Sequence, residues 1–395
     1  MSWKRREFIL NIPKKGLVTY LGLLSSASVA EAATWQKVGG SQAKASGLRV
    51  PTLARGKSYS TLAGNAALRS DGVLLRSGLS FGSSVTYSTF VAYTSVSSLV
   101  SIAGSSLVLR SDGSVWACGS NGWGSLGNNT TTDSSSFVQA TGISNAMAVA
   151  ALTIGANCAL RSDGFVFGTG YNSGGQLGTN NTVLVSTYVQ AIGISNAIAI
   201  SAGTSHVLAL RSDGRVFATG VGTSCQLGNN GTVNRSTYVQ AVGISNAIAV
   251  AGGTDHSLAL RADGLVFSTG LNYQGQLGDS TPDSRRTFAQ VPGLSNVVSI
   301  AAGGYASLAL LADGRVFGCG SNSSGELGVG DTSMYSSFVQ VSGLSSIISV
   351  ATNGSSTFAL RSDGRLFATG YNGFGLLGIG NTTNQSSFVQ VIGDF

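Results

Sequence analysis

The sequence predicts an all-β protein, a seven-bladed β-propeller built from four-stranded antiparallel blades of about 50 residues per repeat. Three observations predict this fold. The tripeptide Ser/Ala-Asp-Gly recurs at a nearly constant spacing, and short apolar runs flank each copy. Glycine accounts for 56 of the 395 residues whereas proline accounts for 4. The nearly constant spacing of the tripeptide is typical of proteins in which each repeat is one small structural unit that stacks on its neighbours.

The repeat is counted most easily from the aspartate of the tripeptide. The successive spacings are 41, 51, 50, 50, 50 and 50 residues, for Asp71, Asp112, Asp163, Asp213, Asp263, Asp313 and Asp363. Each aspartate is followed by one aromatic-led strand segment, beginning at Phe90, Phe137, Tyr188, Tyr238, Phe288, Phe338 and Phe388. One segment for each aspartate predicts seven complete units.

Each unit contains four candidate strands, as the fourth unit illustrates. Two apolar runs, residues 207–210 and 215–220, flank the Arg-Ser-Asp-Gly of residues 211–214, which predicts a β-hairpin because Asp and Gly tolerate the positive φ of a tight turn. Residues 198–203 and 238–241 supply a first and a fourth strand. A single small sheet cannot bury both faces, whereas seven sheets around an axis can. A linear solenoid is disfavoured, because its repeats are usually shorter.

Composition and charge exclude several other classes of protein. Charged residues make up 10% and hydrophobic residues 43%, which argues against a disordered chain. Glycine is too scarce for collagen, and the chain lacks the composition of a coiled coil. The net charge of +7 divides into +3 for residues 1–32 (5 basic minus 2 acidic) and +4 for the remainder (18 minus 14). Because the basic residues are scattered, no nucleic-acid partner is expected.

Residues 1–32 are interpreted as a twin-arginine-like signal peptide. Arg5 and Arg6 precede Glu7-Phe8, an uncharged stretch covers residues 16–30, and Ala30-Glu31-Ala32 resembles a signal-peptidase site. The stretch is too short for a stable transmembrane anchor. We therefore expect an exported propeller of residues 33–395, in the periplasm, outside the cell or on its surface. The alternative is an uncleaved docking arm in an assembled particle.

Motifs that would carry chemistry are lacking. The recurring aspartates are interpreted as turn residues, and His206 and His256, one repeat apart, as packing residues. Cys118 and Cys319 stand where other repeats have threonine and are expected to be small buried residues, without disulfide or metal. No phosphate-binding glycine motif with a following lysine occurs. The sequence therefore predicts a protein that is not an enzyme and needs no cofactor or metal.

Two sequence patterns, one of nine residues and one of eight, indicate a resemblance to a known family. Gly-x-Asn-x-x-Gly-Gln-Leu-Gly occurs at residues 170–178 and 270–278, with close variants at 119–127, 320–328 and 370–378. Gly-x-x-His-Ser-Leu-Ala-Leu occurs at residues 253–260 and, less closely, at 203–210. From about residue 50 to the last residue, the chain resembles the regulator of chromosome condensation repeat family. The resemblance implies a seven-bladed propeller, in agreement with the repeat count.

The resemblance also bears on partners. The family's eponymous member exchanges nucleotide on the GTPase Ran with the help of a hairpin inserted in one blade. The constant spacing here leaves no room for such a hairpin, so no Ran-type GTPase partner is expected. In size, regularity and expected export the chain is similar to a secreted β-lactamase inhibitory protein. The first unit departs from the pattern, with 19 residues from Asp71 to Phe90 against 25 in the others, and is expected at the closure of the ring, where a segment beginning at Trp35 could help seal it.

Binding residues are expected where repeats that share core positions differ from one another. The loops that contain the family asparagine carry Trp123, Tyr171, Tyr273, Tyr371 and Phe374. These aromatic residues are equally compatible with anchoring a partner and with packing between blades. Arg285 and Arg286 form a second candidate, although a solvated surface is the simpler interpretation.

The leading hypothesis is an exported, non-enzymatic propeller that binds an unknown protein or surface polymer through loops on one face. The alternatives are a structural component of an assembled particle or cell surface, and an inhibitor of a secreted enzyme.

Overall fold

The computed structural model describes residues 59–63, 66–69, 72–79, 86–93, 96–104 and 106–392. These residues form 28 strands in seven four-stranded sheets, with the strands of each sheet hydrogen-bonded antiparallel in chain order. Each sheet is one blade, and no helix occurs in these segments. The predicted seven-bladed propeller is thus confirmed.

The first and second strands of blades 1 and 2 are shorter than those of the other blades. Blade 1 contains β1 (Tyr59–Ala63), β2 (Ala66–Arg69), β3 (Leu74–Leu79) and β4 (Thr86–Tyr93). Blade 2 contains β5 (Leu99–Ala103), β6 (Leu107–Arg110), β7 (Val115–Gly119) and β8 (Ser134–Gln139). Blade 3 contains β9 (Ala146–Leu152), β10 (Ala156–Arg161), β11 (Val166–Gly170) and β12 (Val185–Gln190).

The last four blades follow the 50-residue period closely. Blade 4 contains β13 (Ala197–Ala202), β14 (His206–Arg211), β15 (Val216–Gly220) and β16 (Arg235–Gln240). Blade 5 contains β17 (Ala247–Gly252), β18 (His256–Arg261), β19 (Val266–Gly270) and β20 (Arg285–Gln290). Blade 6 contains β21 (Val297–Gly303), β22 (Ala306–Leu311), β23 (Val316–Gly320) and β24 (Tyr335–Gln340). Blade 7 contains β25 (Ile347–Thr352), β26 (Ser356–Arg361), β27 (Leu366–Gly370) and β28 (Gln385–Gln390).

The first strand of each blade lies nearest the axis, since these strands contact one another in ring order and β25 contacts β1. Strand direction alternates within a blade, so two kinds of connection share each end of the ring. We call one end the loop face. It carries the turns between the first and second strands and the loops between the third and fourth. The other end, the turn face, carries the Asp-Gly turns between the second and third strands.

The Asp-Gly turns account for the recurring aspartates. In blade 4, Asp213 Oδ1 accepts a hydrogen bond from the Arg215 backbone N–H at 3.2 Å, and Gly214 has a φ of +77°. The Asp213 carboxylate also pairs with Arg211, whose guanidinium lies 5.2 Å from the centre of the Phe217 ring. The other described turns keep the aspartate, and most of them keep the arginine and the ring. The turn interpretation is confirmed for six aspartates, and Asp71 lies outside the described residues.

Neighbouring blades are joined by a repeated contact between a glycine and an aromatic ring. The last glycine of the family motif has a positive φ, and a Cβ on Gly278 would lie 2.4 Å from the ring of Phe338 on the next blade. Such an approach is possible only for glycine. The same contact recurs in the pairs Gly127–Tyr188, Gly178–Tyr238, Gly228–Phe288, Gly328–Phe388 and Gly378–Phe90.

The pair Gly378–Phe90 closes the ring between blades 7 and 1. Three hydrogen bonds support it: Ser77 Oγ donates to the Leu376 carbonyl at 2.6 Å, the Phe90 N–H to the Ile392 carbonyl at 3.2 Å, and the Gly380 N–H to the Ser88 carbonyl at 2.8 Å. All four strands of blade 1 come from residues 59–93. The expected contribution of the Trp35 segment lies outside the described residues, as do residues 1–32 and the predicted signal peptide.

The two histidines join neighbouring blades inside the core. His206 Nε2 lies 2.9 Å from Ser257 Oγ, and Ser257 Oγ donates to the Gln226 carbonyl at 2.7 Å. Because the serine proton is used in that way, the histidine Nε2–H must be the donor to the serine, which fixes the tautomer. His256 repeats the arrangement with Ser307. The packing role predicted for both histidines is confirmed.

The cysteines are also core residues. Cys118 lies on β7 and Cys319 on β23, and both are free and buried, as are Cys158 and Cys225. Burial raises the pKa of the Cys118 and Cys158 thiols to about 12, so they stay protonated at neutral pH. The interpretation of Cys118 and Cys319 as small buried strand residues is confirmed.

Candidate binding face

The family asparagine makes the loops of the loop face rigid. Asn272 is completely buried, and its Oδ1 accepts a hydrogen bond from the Leu277 N–H at 2.8 Å. Its Nδ2 donates to the Thr281 carbonyl at 2.7 Å and to Asp279 Oδ1 at 2.9 Å. The side-chain amide of Asn272 thus forms hydrogen bonds with both ends of the loop. The same bond to the backbone five residues on is made by Asn121, Asn172, Asn322 and Asn372.

Threonines on the third strands of blades 3, 4 and 7 each tie the loop of the preceding blade to their own blade. Thr219 Oγ1 lies 3.0 Å from the Gly175 carbonyl across the blade interface and 2.8 Å from the Arg235 carbonyl of its own blade, so its one proton bridges the two carbonyls. Thr169 and Thr369 make equivalent bonds. Side chains carried by these loops are therefore held in fixed positions relative to the ring, as a preorganised binding surface requires.

Trp123 both packs between blades and remains accessible. It lies in the loop after β7, and its ring meets that of Tyr171 in the next blade edge to face, with centroids 5.1 Å apart. It also covers Gly155, where a Cβ would lie 2.9 Å from Trp123 Cδ1. Nevertheless 54% of Trp123 is exposed. Of the two interpretations left open by the sequence, packing between blades is therefore confirmed for this residue, and anchoring of a partner stays a prediction.

A second aromatic pair lies at the closure of the ring. The rings of Tyr371 and Phe374, in the loop after β27, are 6.3 Å apart, and 47% of Phe374 is exposed. The next residue, Gly375, approaches the backbone of Tyr87 in blade 1. Tyr87 itself is 38% exposed. This pair therefore continues into the rim of the loop face.

A third pair joins blades 5 and 6. Tyr273, in the loop after β19, is 50% exposed, and its ring lies 5.4 Å from that of Tyr305. Tyr305 was not predicted from the sequence. It occupies the turn between β21 and β22, at the repeat position of Ser205 and Asp255, so the available signal was an aromatic residue in a turn that is otherwise small or polar.

The arginine candidates differ from each other. Arg285 pairs with Asp279 at 2.7 Å, and the side chain of that aspartate is only 1% exposed. Arg285 is therefore partly buried and occupied by a structural ion pair. Arg286, the next residue of β20, is exposed. The interpretation of both as exposed surface residues is wrong for Arg285 and agrees with the structure for Arg286.

Charge is unevenly distributed between the two faces. Across the described turns and loops of the loop face there is no lysine or arginine, whereas six acidic residues occur: Asp133, Asp255, Asp279, Asp283, Glu326 and Asp331. Arg235, Arg285 and Arg286 stand on strands at the rim. The Arg-Asp pairs of the Asp-Gly turns lie on the turn face, whereas the pair Arg285–Asp279 belongs to the loop face. The overall charge of +7 therefore conceals an acidic, aromatic loop face.

Neither a metal site nor a membrane span stands out in the part of the chain that the structure describes. Within the described segments, no three His, Cys, Asp or Glu side chains are grouped so that they could hold a metal ion. None of these segments forms a helix that is long and apolar enough to cross a membrane.

Comparison with known proteins identifies the class. Residues 77–393 match the model of the RCC1-like domain, and the chain belongs to this family. Curated proteins gave no match.

Solved structures show the same fold. The chain is similar to yeast RCC1 (Prp20) in its complex with Kap60, with 20% identity, a TM-score of 0.72, and coverage of 93% of this chain and 91% of that one. Prp20p from Saccharomyces cerevisiae, studied with its binding to Gsp1p and histones, gives 22% identity, a TM-score of 0.69, and coverage of 80% and 82%. Human WBSCR16 is similar as well, with 22% identity, a TM-score of 0.69, and coverage of 78% of this chain and 85% of that one.

Matches at this level of identity show the fold and leave the partner open. The expectation that no Ran-type GTPase is a partner therefore gains no support from them.

Proposed function

We propose that the protein is a non-enzymatic binding propeller that recognises a protein partner through the loop face, with a surface polymer as the alternative ligand. Export is part of this proposal and rests on the motif in residues 1–32 alone. One observation carries the binding proposal: among the described residues, every exposed aromatic side chain lies on the loop face or at its rim.

The physical argument combines rigidity with exposed area. Trp123, Tyr273 and Phe374 stand on loops that the family asparagine holds in place. Each of these loops also accepts a hydrogen bond from the next blade, donated by Thr169, Cys319 and Ser77 respectively. Large aromatic side chains held rigidly contribute much of the binding energy in protein interfaces, because little side-chain entropy is lost on binding. The exposed apolar residues of the turn face, Val242 and Ile392 among them, are smaller and aliphatic.

The test is capture of a partner from an envelope extract of the source organism. We expect that Trp123→Ala and Phe374→Ala each weaken capture by about tenfold or more, since loss of an interface aromatic often removes about 2 kcal/mol. Thermal unfolding verifies that each variant is folded, and a somewhat lower midpoint is expected for Trp123→Ala because the unexposed half of that side chain packs against Tyr171 and Gly155.

Val242→Ala and Ile392→Ala serve as matched controls. They remove exposed apolar area from the turn face and should leave capture unchanged. Undiminished capture by the Trp123 and Phe374 variants, or loss only in the two controls, would refute the proposal.

A further inference from the structure

We propose that Asp255, Tyr273 and Tyr305 form a site on the loop face for the cationic head of an arginine or lysine side chain of a protein partner. This inference rests on the proposed function, because it names the chemistry that the loop face recognises.

The backbone around the site is fixed from two blades. Asp255 lies in the turn between β17 and β18, and its carbonyl accepts a hydrogen bond from the Leu271 N–H at 2.8 Å. Tyr305 lies in the corresponding turn of blade 6, and its carbonyl accepts from the Ser321 N–H at 2.9 Å. The two turns are joined by a bond from the Thr254 N–H to the Gly304 carbonyl at 2.8 Å. The carboxylate and the tyrosines are thus presented together by a preformed frame.

Among the residues that the structure describes, the Asp255 carboxylate has no cationic partner. Its Oδ1 accepts a hydrogen bond from Gln226 Nε2 at 3.2 Å, and it also contacts the Tyr305 hydroxyl. In the described part of the chain no lysine or arginine forms an ion pair with it, in contrast to the aspartates of the turn face and to Asp279. Partial burial raises the pKa of Asp255, as expected for a desolvated carboxylate without a compensating charge. A cation placed beside it would be attracted strongly.

The tyrosines supply the second half of a cation site. The two rings lie 5.4 Å apart with an interplanar angle of 60°, and half of Tyr273 is exposed. Tyrosine faces attract arginine and ammonium groups through the ring quadrupole. Contact with the Tyr273 hydroxyl and partial burial raise the pKa of Tyr305 to about 12, so its hydroxyl stays neutral at pH 7. The negative charge is left to Asp255.

The site occurs once in the described part of the ring. In blades 3, 4, 6 and 7 the residues at the repeat position of Asp255 are Gly155, Ser205, Tyr305 and Ser355. Gln276, the counterpart of Gln226, is buried with its Nε2 lacking a partner, since a tyrosine replaces the acid in blade 6. The surrounding loops carry acids and no lysine or arginine. Charge complementarity therefore favours a basic protein segment as the occupant.

The experiment is a calorimetric titration of the full chain with short oligo-arginine and oligo-lysine peptides, with an oligo-glutamate peptide as the negative probe. We expect at least one basic peptide to bind, more weakly at higher salt, because exposed charges are screened. Asp255→Asn keeps the shape and the contact with Gln226, and should weaken binding by about tenfold or more, the effect of a charge-assisted contact. Tyr273→Ala should weaken it by a smaller factor.

Asp283→Asn is the matched control, since Asp283 is an exposed acid in the same blade and on the same face. It should change the affinity by less than about twofold, as expected for an exposed charge. Thermal unfolding verifies that each variant is folded. The inference is overturned if neither basic peptide binds, if Asp255→Asn binds like the unaltered protein, or if Asp283→Asn weakens binding equally. In each case the loss of partner capture in Trp123→Ala would still stand, which separates this failure from failure of the proposed function.

Discussion

Replacing Gly378 with alanine is expected to destabilise the folded protein by about 3 kcal/mol or more, since overpacking and backbone strain act together at this position. The residue has a φ of +67°, and a Cβ would lie 2.4 Å from Cδ2 of Phe90. The added methyl group would therefore push on the ring that joins blades 7 and 1, where no covalent link holds the closure. Chemical unfolding of the purified protein measures the change.

Gly343→Ala separates the two causes of this effect. Gly343 also has a positive φ, of +72°, but nothing lies within 4 Å of the position of a Cβ. It should cost only about 1 kcal/mol, the strain of a left-handed conformation. Equal losses for the two variants would show that the Gly378–Phe90 contact does not hold the closure.

Acidification from pH 7 to pH 5 is expected to lower the free energy of unfolding by about 4 kcal/mol through His206 and His256 together. Burial lowers the pKa of His206 from 6.5 to about 4, and burial together with the neighbouring His206 lowers the pKa of His256 to about 3. Both histidines are neutral in the folded state at pH 5, whereas in the unfolded chain they take up protons below pH 6.5. Their stabilising contribution is therefore complete above about pH 6.5 and is lost as the pH falls toward about 4 and about 3.

The control is the double variant His206→Ala, His256→Ala, which takes its residue from Ala156 and Ala306 at the same repeat position. Subtracting the pH dependence of the free energy of unfolding of the double variant from that of the unaltered protein removes the contribution of the carboxylates, which both proteins share. The double variant should be less stable at pH 7 and should lose about 4 kcal/mol less than the unaltered protein between pH 7 and pH 5. Identical pH profiles would contradict the assignment of these histidines as buried and neutral.

The fold could be predicted almost completely from the sequence because its signals are local and repeated. The Asp-Gly dipeptide, as at Asp213-Gly214, predicts a tight turn in every repeat. The number of copies, most of them spaced by 50 residues, predicts the number of blades. Contacts across blades were not predictable. The bond from His206 to Ser257 joins residues 51 apart, and nothing in either local sequence marks them as partners.

The candidate site was predicted in part. Trp123 and Phe374 could be singled out because the loops vary around a constant asparagine. Tyr305 could not, since it belongs to a different connection that meets the Tyr273 loop only when the blades are assembled. Arg285 was misjudged as an exposed residue for the same reason: its partner, Asp279, is an ordinary loop acid until the fold buries it.

Binding of a partner to the loop face is the central claim, and site-specific photo-cross-linking tests it most directly. A photoreactive phenylalanine derivative would replace Trp123 in one variant and Val242, on the turn face, in another. Both positions are about half exposed, so the probes are equally accessible. We expect irradiation of the captured complex to link the partner to the probe at position 123 and not to the probe at position 242. Cross-linking from position 242 alone would contradict the claim.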